Sequence, residues 1–483
     1  MSLAPGIRLG AREALGLDAQ DMKHPVVALG LSVFVLVVSL ASAQNREDAG
    51  GESHAFTTRV LATGLEGPWE MAWGPDGRLW VTERTGKRVT RINPADGSKA
   101  VVLTIPGVHQ SVAQDGLLGL ALHPELLRGT GVDYVYVYLT YAVNRPPEVL
   151  RRGMIRRYTY DPGTQTLISP VDLLTGLPVH NDHVSGRLAL GPDRKLYLSV
   201  GDQGSNFGGN YCIPNRAQQV PSASEVAERD WMKYQGKLLR VNLDGTIPAD
   251  NPLIAGVRSH VYSYGHRNIQ GITFGRDGKV YAAEHGPSTD DEVNLVLAGK
   301  NYGWPHVAGY KDDRAYVYGN WSASPSCSAM TFNAVAVPAE VPQQKESAWN
   351  HADFTPPLKT FFTVDSGYDF QARGGATVAP SGLKLYAGGA NAIPGWANSL
   401  LLVALKAGRV YRMKLSADGT SVVGDAEEVF KTTNRYRDIA FAPDGRTIYL
   451  ATDPTGRTTD SAGVITTALE SGGSILEFAY KER

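Results

Sequence analysis

Several common catalytic signatures are missing from this sequence. It has no His-Glu-x-x-His of a zinc peptidase, no Walker A phosphate loop, no Gly-x-Gly-x-x-Gly of a dinucleotide fold and no Gly-x-Ser-x-Gly nucleophile elbow. Charge imbalance is missing too: 47 Lys and Arg against 48 Asp and Glu give a formal net charge of −1. That removes the electrostatic case for nucleic acid or an acidic membrane surface, so basic residues act locally. Helical periodicity is scarce. Its clearest instance is 222–234, where Ser222 and Glu225 form a capping box. Cysteine is nearly absent, with only Cys212 and Cys327.

What the chain does have is turns, supplied by 53 Gly and 28 Pro. They punctuate one recurring unit: a short apolar strand, a Pro/Asp/Gly turn, and a strand bearing an aromatic. It occurs as MAWGPDGRLWVT (71–82), LALHPELLRGTGVDYVYVYL (120–139), RLALGPDRKLYLSV (187–200), ITFGRDGKVYAA (272–283), ATVAPSGLKLYA (376–387) and IAFAPDGRTIYLA (439–451). Repeats of one hairpin at roughly 40–50 residues, interrupted by insertions, are the sequence signature of a β-propeller. Six copies predict an all-β, six-bladed propeller with four-stranded antiparallel blades.

The N-terminus predicts export. Residues 25–45 carry no charge and end in Ala41-Ser42-Ala43 before Gln44, the apolar core and small-residue cleavage site of a secretory signal. About twenty residues precede its basic flank, whereas Met22 begins a more ordinary signal, so Met22 is a candidate true start. The expected organisation is a leader over 1–43 and one propeller domain over 44–483, periplasmic or secreted and free of the membrane once cleaved. The competing reading is an uncleaved anchor, since the stretch is just long enough to span. In an oxidising compartment Cys212 and Cys327 can pair or remain thiols; sequence alone supplies no geometry.

Polar groups gather where loops enter or leave the repeated strands, which in a propeller cluster around the central channel. Asp182 and His183 are adjacent, and a carboxylate beside an imidazole suits a general base. Arg267, Lys406, Arg435 and Arg437 together suit a polyanionic small molecule. The carbonyls of Gly286 and Pro287, with Asp291 and Glu292 nearby, are hard oxygen donors of the kind Ca²⁺ takes.

These motifs carry a resemblance. From about Val60 onward the chain resembles the soluble glucose dehydrogenases that depend on pyrroloquinoline quinone (PQQ), and the related aldose sugar dehydrogenases. QDGLLG (114–119), DHVSGRL (182–188), GDQG (201–204), GHRN (265–268), NYGWPHVAGYKDD (301–313) and NRYRD (434–438) match in order. The resemblance implies the same propeller and oxidation of a sugar's C1 hydroxyl to a lactone by hydride transfer to PQQ. It implies His183 as general base, oriented by Asp182, with Gln114 contacting the sugar. It further implies Arg267, Asn268, Thr377, Lys406, Arg435 and Arg437 around PQQ, and Gly286 and Pro287 on a calcium. A second calcium cluster would use Glu292, Tyr302, Ala308, Tyr310, Asp312 and Glu346. The family also implies a dimer; the electron acceptor stays open.

Departures fall on the substrate side. Residues 366–376, SGYDFQARGGA, are shorter than in the glucose enzyme, leaving Tyr368 and Phe370 as the candidate stacking surfaces. Phe207 stands where the relative has a sugar-contacting Gln, and His285 replaces another Gln. A broad aldose range is therefore expected. Two rivals remain: a calcium-dependent propeller hydrolase of lactones or esters, in which the cations have no obvious job, and a non-catalytic binding propeller.

Overall fold

A computed structural model of the chain describes residues 55–481 apart from 112–113, 146–147, 335, 407 and 461–462. The expected leader, its cleavage point and the alternative start all lie outside the described residues. Within them the chain forms six four-stranded antiparallel sheets, the blades of a six-bladed propeller.

Blades 1 to 5 run from inner to outer strand in chain order. Their innermost strands are Pro68–Trp73, Leu117–Leu122, Ser185–Leu190, Ile269–Phe274 and Pro380–Tyr386. Blade 6 begins at Tyr436–Phe441 and is completed by the first strand of the chain, Phe56–Ala62, which pairs antiparallel with Ile475–Tyr480. Joining the two ends of the chain in one sheet closes the ring, so that only the short outer-strand edges of the blades remain.

Five of the six repeats form the inner hairpin of a blade as expected. The copy at 376–387 does not: Pro380–Tyr386 is one continuous strand, and its partner Ser399–Ala404 follows a loop. There the Pro-Ser-Gly lies inside the strand, where register shifts between Pro380 and Leu383, so its residues bend a strand rather than reverse it. The capping box at Ser222 is present, but the helix spans only Ala223–Glu228 and ends on Arg229 at φ 57°.

One irregularity recurs in every blade. Each innermost strand shifts register near its start, at Pro68/Met71, Leu117/Leu120, Ser185/Leu188, Ile269/Gly271, Pro380/Leu383 and Tyr436/Asp438. A bulge bends a strand and re-aims the side chains within it. The residues caught in these bulges include Trp69, Glu70, Arg187, Gln270 and Arg437, which meet at the channel. Close approach there also requires small residues: a Cβ on Gly119 would lie 2.5 Å from the Cβ of Leu188 in the next blade.

Candidate active site

Blade 3 supplies the candidate base. His183 sits two residues before Ser185, and Asp202 two residues after Val200; Ser185 and Val200 are cross-strand partners. Hairpin register therefore brings Asp202 opposite His183, and His183 Nδ1 lies 2.7 Å from Asp202 Oδ1. Both are buried, His183 at 5% exposure and Asp202 at 0%. The chain approaches itself tightly here: a Cβ on Gly201 would lie 1.7 Å from the His183 carbonyl oxygen, so only glycine fits. Trp304 Nε1 (2.7 Å) and Asn215 Nδ2 (3.0 Å) donate to Asp202 Oδ2, and Gly204 N (2.9 Å) donates to Oδ1. Burial pushes this carboxyl up, but the His183 imidazole, Arg267 and the Gly204 N–H overcome it and hold it below the usual carboxylate range.

The carboxylate on the imidazole ring is thus Asp202 and not the sequence neighbour Asp182. Adjacent residues cannot easily turn both side chains to one point, and Asp182 Oδ2 stands 3.9 Å from His183 Nε2. Asp182 Oδ1 instead accepts the backbone N–H of His183 (2.8 Å) and Gln114 Nε2 (2.6 Å). That keeps Asp182 and Gln114 together at the exposed side of the base.

Beside this couple opens a cavity of about 210 Å³ at the channel mouth, lined by Gln114, Asn268, Arg435 and Arg437 among the expected residues. Arg84 and Gln270 also line it. Asn268 Oδ1 accepts Ser185 Oγ and Gln270 Nε2, both at 3.0 Å. Asp453 serves two of the guanidiniums: Arg437 Nε and Nη2 reach it at 2.9 and 2.7 Å, Arg435 Nε at 3.5 Å. Burial holds Arg435 and Arg84 below the usual arginine range. Positive charge is in surplus, as an anion-holding cavity requires. Lys406 lies at its edge, donating to the Gly375 carbonyl, while Leu405 lines the cavity itself.

A second, much smaller cavity of about 10 Å³ collects five of the expected metal residues: Gly286, Pro287, Glu292, Tyr302 and Ala308. Arg267 and His285 also line it, and His285 faces both cavities. Arg267 is held over Phe207 and Trp304, 5.0 and 5.3 Å from their ring centroids. Its buried Nε has no hydrogen-bond partner among the described residues. His285 Nε2 donates to the Pro380 carbonyl at 2.7 Å, and burial together with Arg267 and His183 pushes its pKa down to about 3, so the ring is neutral.

Two of the metal candidates, Glu292 and Glu346, clasp one loop. Glu292 Oε1 accepts Gly309 N at 2.6 Å; Glu346 accepts Ala308 N at 2.9 Å and Asp313 N at 3.0 Å. Burial, with Glu284 close by, pushes Glu292 well above the usual carboxylate range, and burial pushes Glu346 up to about 7. Neither has a Lys or Arg ion-pair partner among the described residues. Buried carboxylates without a cation, next to backbone carbonyls, fit a hard divalent ion. No three His, Cys, Asp or Glu side chains converge among the described residues, so carbonyls would carry much of the coordination. Asp291 ties the 286–291 loop to Thr377, whose Oγ1 donates to Asp291 Oδ2 at 2.5 Å. Tyr310 is exposed and Asp312 faces Arg314 at 3.7 Å. Tyr368 and Phe370 pack edge-on against each other at 4.7 Å and line neither cavity.

Fold and channel together define a propeller enzyme with a buried acid–histidine couple next to a cationic cavity. Sequence comparison supplies the family. The glucose/sorbosone dehydrogenase family model matches residues 65–345 and 371–460, and the chain belongs to that oxidoreductase family. It is 42% identical to quinoprotein glucose dehydrogenase B of Acinetobacter calcoaceticus, over 95% of this chain and all of the relative. An aldose sugar dehydrogenase of Escherichia coli is 26% identical over 82% of this chain and 89% of its own. Among solved structures, the PQQ-bound aldose sugar dehydrogenase of Streptomyces coelicolor superposes with a TM-score of 0.61 at 27% identity, covering 88% of this chain and 98% of that one.

Proposed function

We propose that the protein oxidises the C1 hydroxyl of aldose sugars to lactones with PQQ as hydride acceptor and Ca²⁺ as its metal. The observation that carries this is the His183–Asp202 couple beside a cavity of about 210 Å³ whose guanidiniums outnumber its carboxylates. Asp202 accepts from the ring, so Nδ1 carries the proton and Nε2 keeps the lone pair. Nε2 then removes the C1 hydroxyl proton, and burial keeps competing water off the base. Gln114 and Asp182, tied to each other on the exposed side, hold sugar hydroxyls. Arg435, Arg437 and Lys406 suit the carboxylates of PQQ, and Asn268 its carbonyls. Arg267, whose Nε has no hydrogen-bond partner among the described residues, would stabilise negative charge on the acceptor. Bound PQQ supplies the two-electron acceptor, and Ca²⁺ on the Gly286 and Pro287 carbonyls supplies Lewis acidity.

The test is apoprotein given PQQ and Ca²⁺, followed by absorbance titration of the cofactor and sugar-dependent reduction of a dye. Lys406→Ala and Arg435→Ala should each raise half-saturating PQQ about ten- to a hundred-fold, because a charge-assisted contact contributes roughly 1.5–3 kcal/mol. Calcium chelation should remove both PQQ binding and turnover. Pentoses and disaccharides should be oxidised at rates comparable to glucose. Sugar oxidation independent of PQQ, or lactone hydrolysis in its place, would sink the reading.

We further infer that residues 1–43 are an export leader and that 44–483 form the mature catalytic domain in the periplasm or outside the cell. The uncharged stretch before Ala41-Ser42-Ala43 supports this. N-terminal sequencing of the exported protein should start at Gln44 or within a residue or two; an intact N-terminus in a membrane fraction would revive the anchor.

A further inference from the structure

The carboxylate on the base is itself held from behind. Asp202 Oδ1 faces His183, while Oδ2 takes its two donors from Asn215 and Trp304. Both donors depend on one stretch, residues 215–218, inside the insertion between the strands Leu196–Val200 and Lys237–Val241 of blade 3. Residues 211–222 belong to no helix or strand, so no ladder fixes them. Asn215 Oδ1 accepts the Ala217 N–H at 2.9 Å, which leaves Nδ2 aimed at Asp202. Gln218 Nε2 donates to the Trp304 carbonyl at 2.7 Å, and its Oε1 accepts Asn301 Nδ2 at 2.7 Å. Cys212 and Cys327, whose pairing the sequence leaves open, form a disulfide that anchors the stretch on its N-terminal side.

A lysine anchors it from within the fold. Lys237 begins the third strand of blade 3, pairs with Val200 and Tyr264, and is 0% exposed. Its Nζ donates to the carbonyls of Gln235 (2.6 Å), Ala217 (2.8 Å) and Arg216 (3.2 Å). Three buried carbonyls converging on one point each need a donor. Burial pushes the lysine pKa well below its usual range, and no carboxylate pairs with it among the described residues. The cage opposes that shift. An ammonium has three donors and no acceptor, whereas a neutral amine would set its lone pair against a carbonyl. Lys237 lines neither cavity, so any effect on turnover passes through other residues.

We propose that Lys237 is a positioning residue for the base: it fixes residues 215–218 so that Asn215 and Trp304 hold Asp202, and Asp202 holds the His183 ring. The proposal rests on the reading of His183 as general base above. With both Oδ2 donors in place the carboxylate cannot turn, and Oδ1 stays on the Nδ1 proton of the imidazole. Once the stretch is loose the carboxylate can turn, and Nε2 loses its aim at the C1 hydroxyl. Misalignment of a reacting group costs rate rather than binding. Gln114, Arg435 and Arg437 belong to other blades, so sugar and cofactor binding are spared.

The experiment takes the full chain loaded with PQQ and Ca²⁺ and measures kcat per bound PQQ, KM for glucose, and half-saturating PQQ by absorbance. Each variant is assayed well below its unfolding temperature. Lys237→Met keeps the apolar stem but has no donor. It should lower kcat about ten- to a hundred-fold, the cost of a reacting group held out of line, with KM and half-saturating PQQ at the parent's values. Asn215→Ala removes one Oδ2 donor directly and should lower kcat by less. Combining the two should fall short of the product of their effects, since both act on one carboxylate. If Lys237→Met does not fold, the paired change Asn215→Ala and Gln218→Ala leaves the caged lysine in place and should itself lower kcat about ten-fold at parental KM. A lysine that only stabilises the fold would lower the unfolding temperature and leave kcat per bound PQQ untouched. That result would overturn the proposal, as would KM changing in step with kcat, fully multiplicative effects, or parental kcat in the Asn215 and Gln218 pair. A parent that binds no PQQ and oxidises no aldose, or a His183→Ala protein with parental turnover, overturns the base reading and this inference together. Parental kcat in Lys237→Met beside an inactive His183→Ala overturns this inference alone.

Discussion

Replacing His183 by alanine should lower turnover by about 10⁴-fold while leaving the PQQ titration where it was. The ring lies in blade 3, whereas the cationic groups proposed for the cofactor come from blade 6 and the loop after Ser399–Ala404. Loss of a general base costs ~10²–10⁴-fold, and the upper end applies because proton removal and hydride departure are coupled at one carbon. Asp202→Asn should cost roughly a hundred-fold more than Asp182→Asn costs in kcat, since only Asp202 holds the imidazole tautomer at 2.7 Å. Asp182→Asn should act mainly on KM, because that carboxylate is tied to Gln114 on the exposed side. Dye-reduction kinetics at saturating PQQ separate the cases. A His183→Ala protein that turns over like its parent would remove the base assignment. Equal kcat losses in the two aspartate variants would mean that the contact with Asp202 does not position the ring.

What sequence reveals here follows what each feature depends on. Blade count was legible because every inner hairpin must reverse the chain, and reversal needs Pro, Asp and Gly in a recognisable order. It failed as a hairpin signal at 376–387, where Pro380 and Gly382 serve a bulge within one strand. Adjacent residues drew attention to Asp182, yet a hairpin brings together residues whose numbers sum to a constant. Ser185 and Val200 pair, so His183 and Asp202 face each other, and the register could have been extended from the strands on either side. Arg84 was harder to find, because it follows the second strand of blade 1 in a stretch without distinctive chemistry. It reaches the large cavity only because Gly116 leaves room: a Cβ there would lie 2.7 Å from Arg84 Cγ. Least legible was the channel floor. Glu70, Arg187 and Asp438 belong to three blades, and only ring closure and six bulges bring them together.

Arg187→Met should destabilise the fold by about 3–5 kcal/mol at neutral pH, the cost of removing one partner from a buried ion cluster. Arg187 is 1% exposed, Glu70 2% and Asp438 0%. Arg187 Nη1 lies 3.2 Å from Glu70 Oε1 and 3.1 Å from Asp438 Oδ2, Nε donates to the Gln270 carbonyl at 2.7 Å, and the guanidinium covers Trp69 at 4.5 Å. The carboxylates cannot simply turn away. Glu70 Oε2 accepts Leu120 N (3.0 Å) and Leu188 N (3.3 Å), and Asp438 Oδ2 accepts Met71 N (2.7 Å), so blades 1, 2, 3 and 6 all hang on this cluster. Methionine fills the space but removes the guanidinium that faces both buried carboxylates. In the parent, burial already pushes Glu70 above its usual range, with Arg187 opposing and Asp438 adding to the shift. Without Arg187 the folded-state pKa of Glu70 rises further. An acid whose pKa is higher folded than unfolded penalises folding fully above its folded pKa and not at all below its unfolded value near 4.3. The gap between variant and parent in urea unfolding should therefore be widest near pH 7.5 and shrink as pH falls toward 4.3. A deficit under about 1 kcal/mol at pH 7.5, or one that grows on acidification, would show that the cluster does not hold the channel floor in this way.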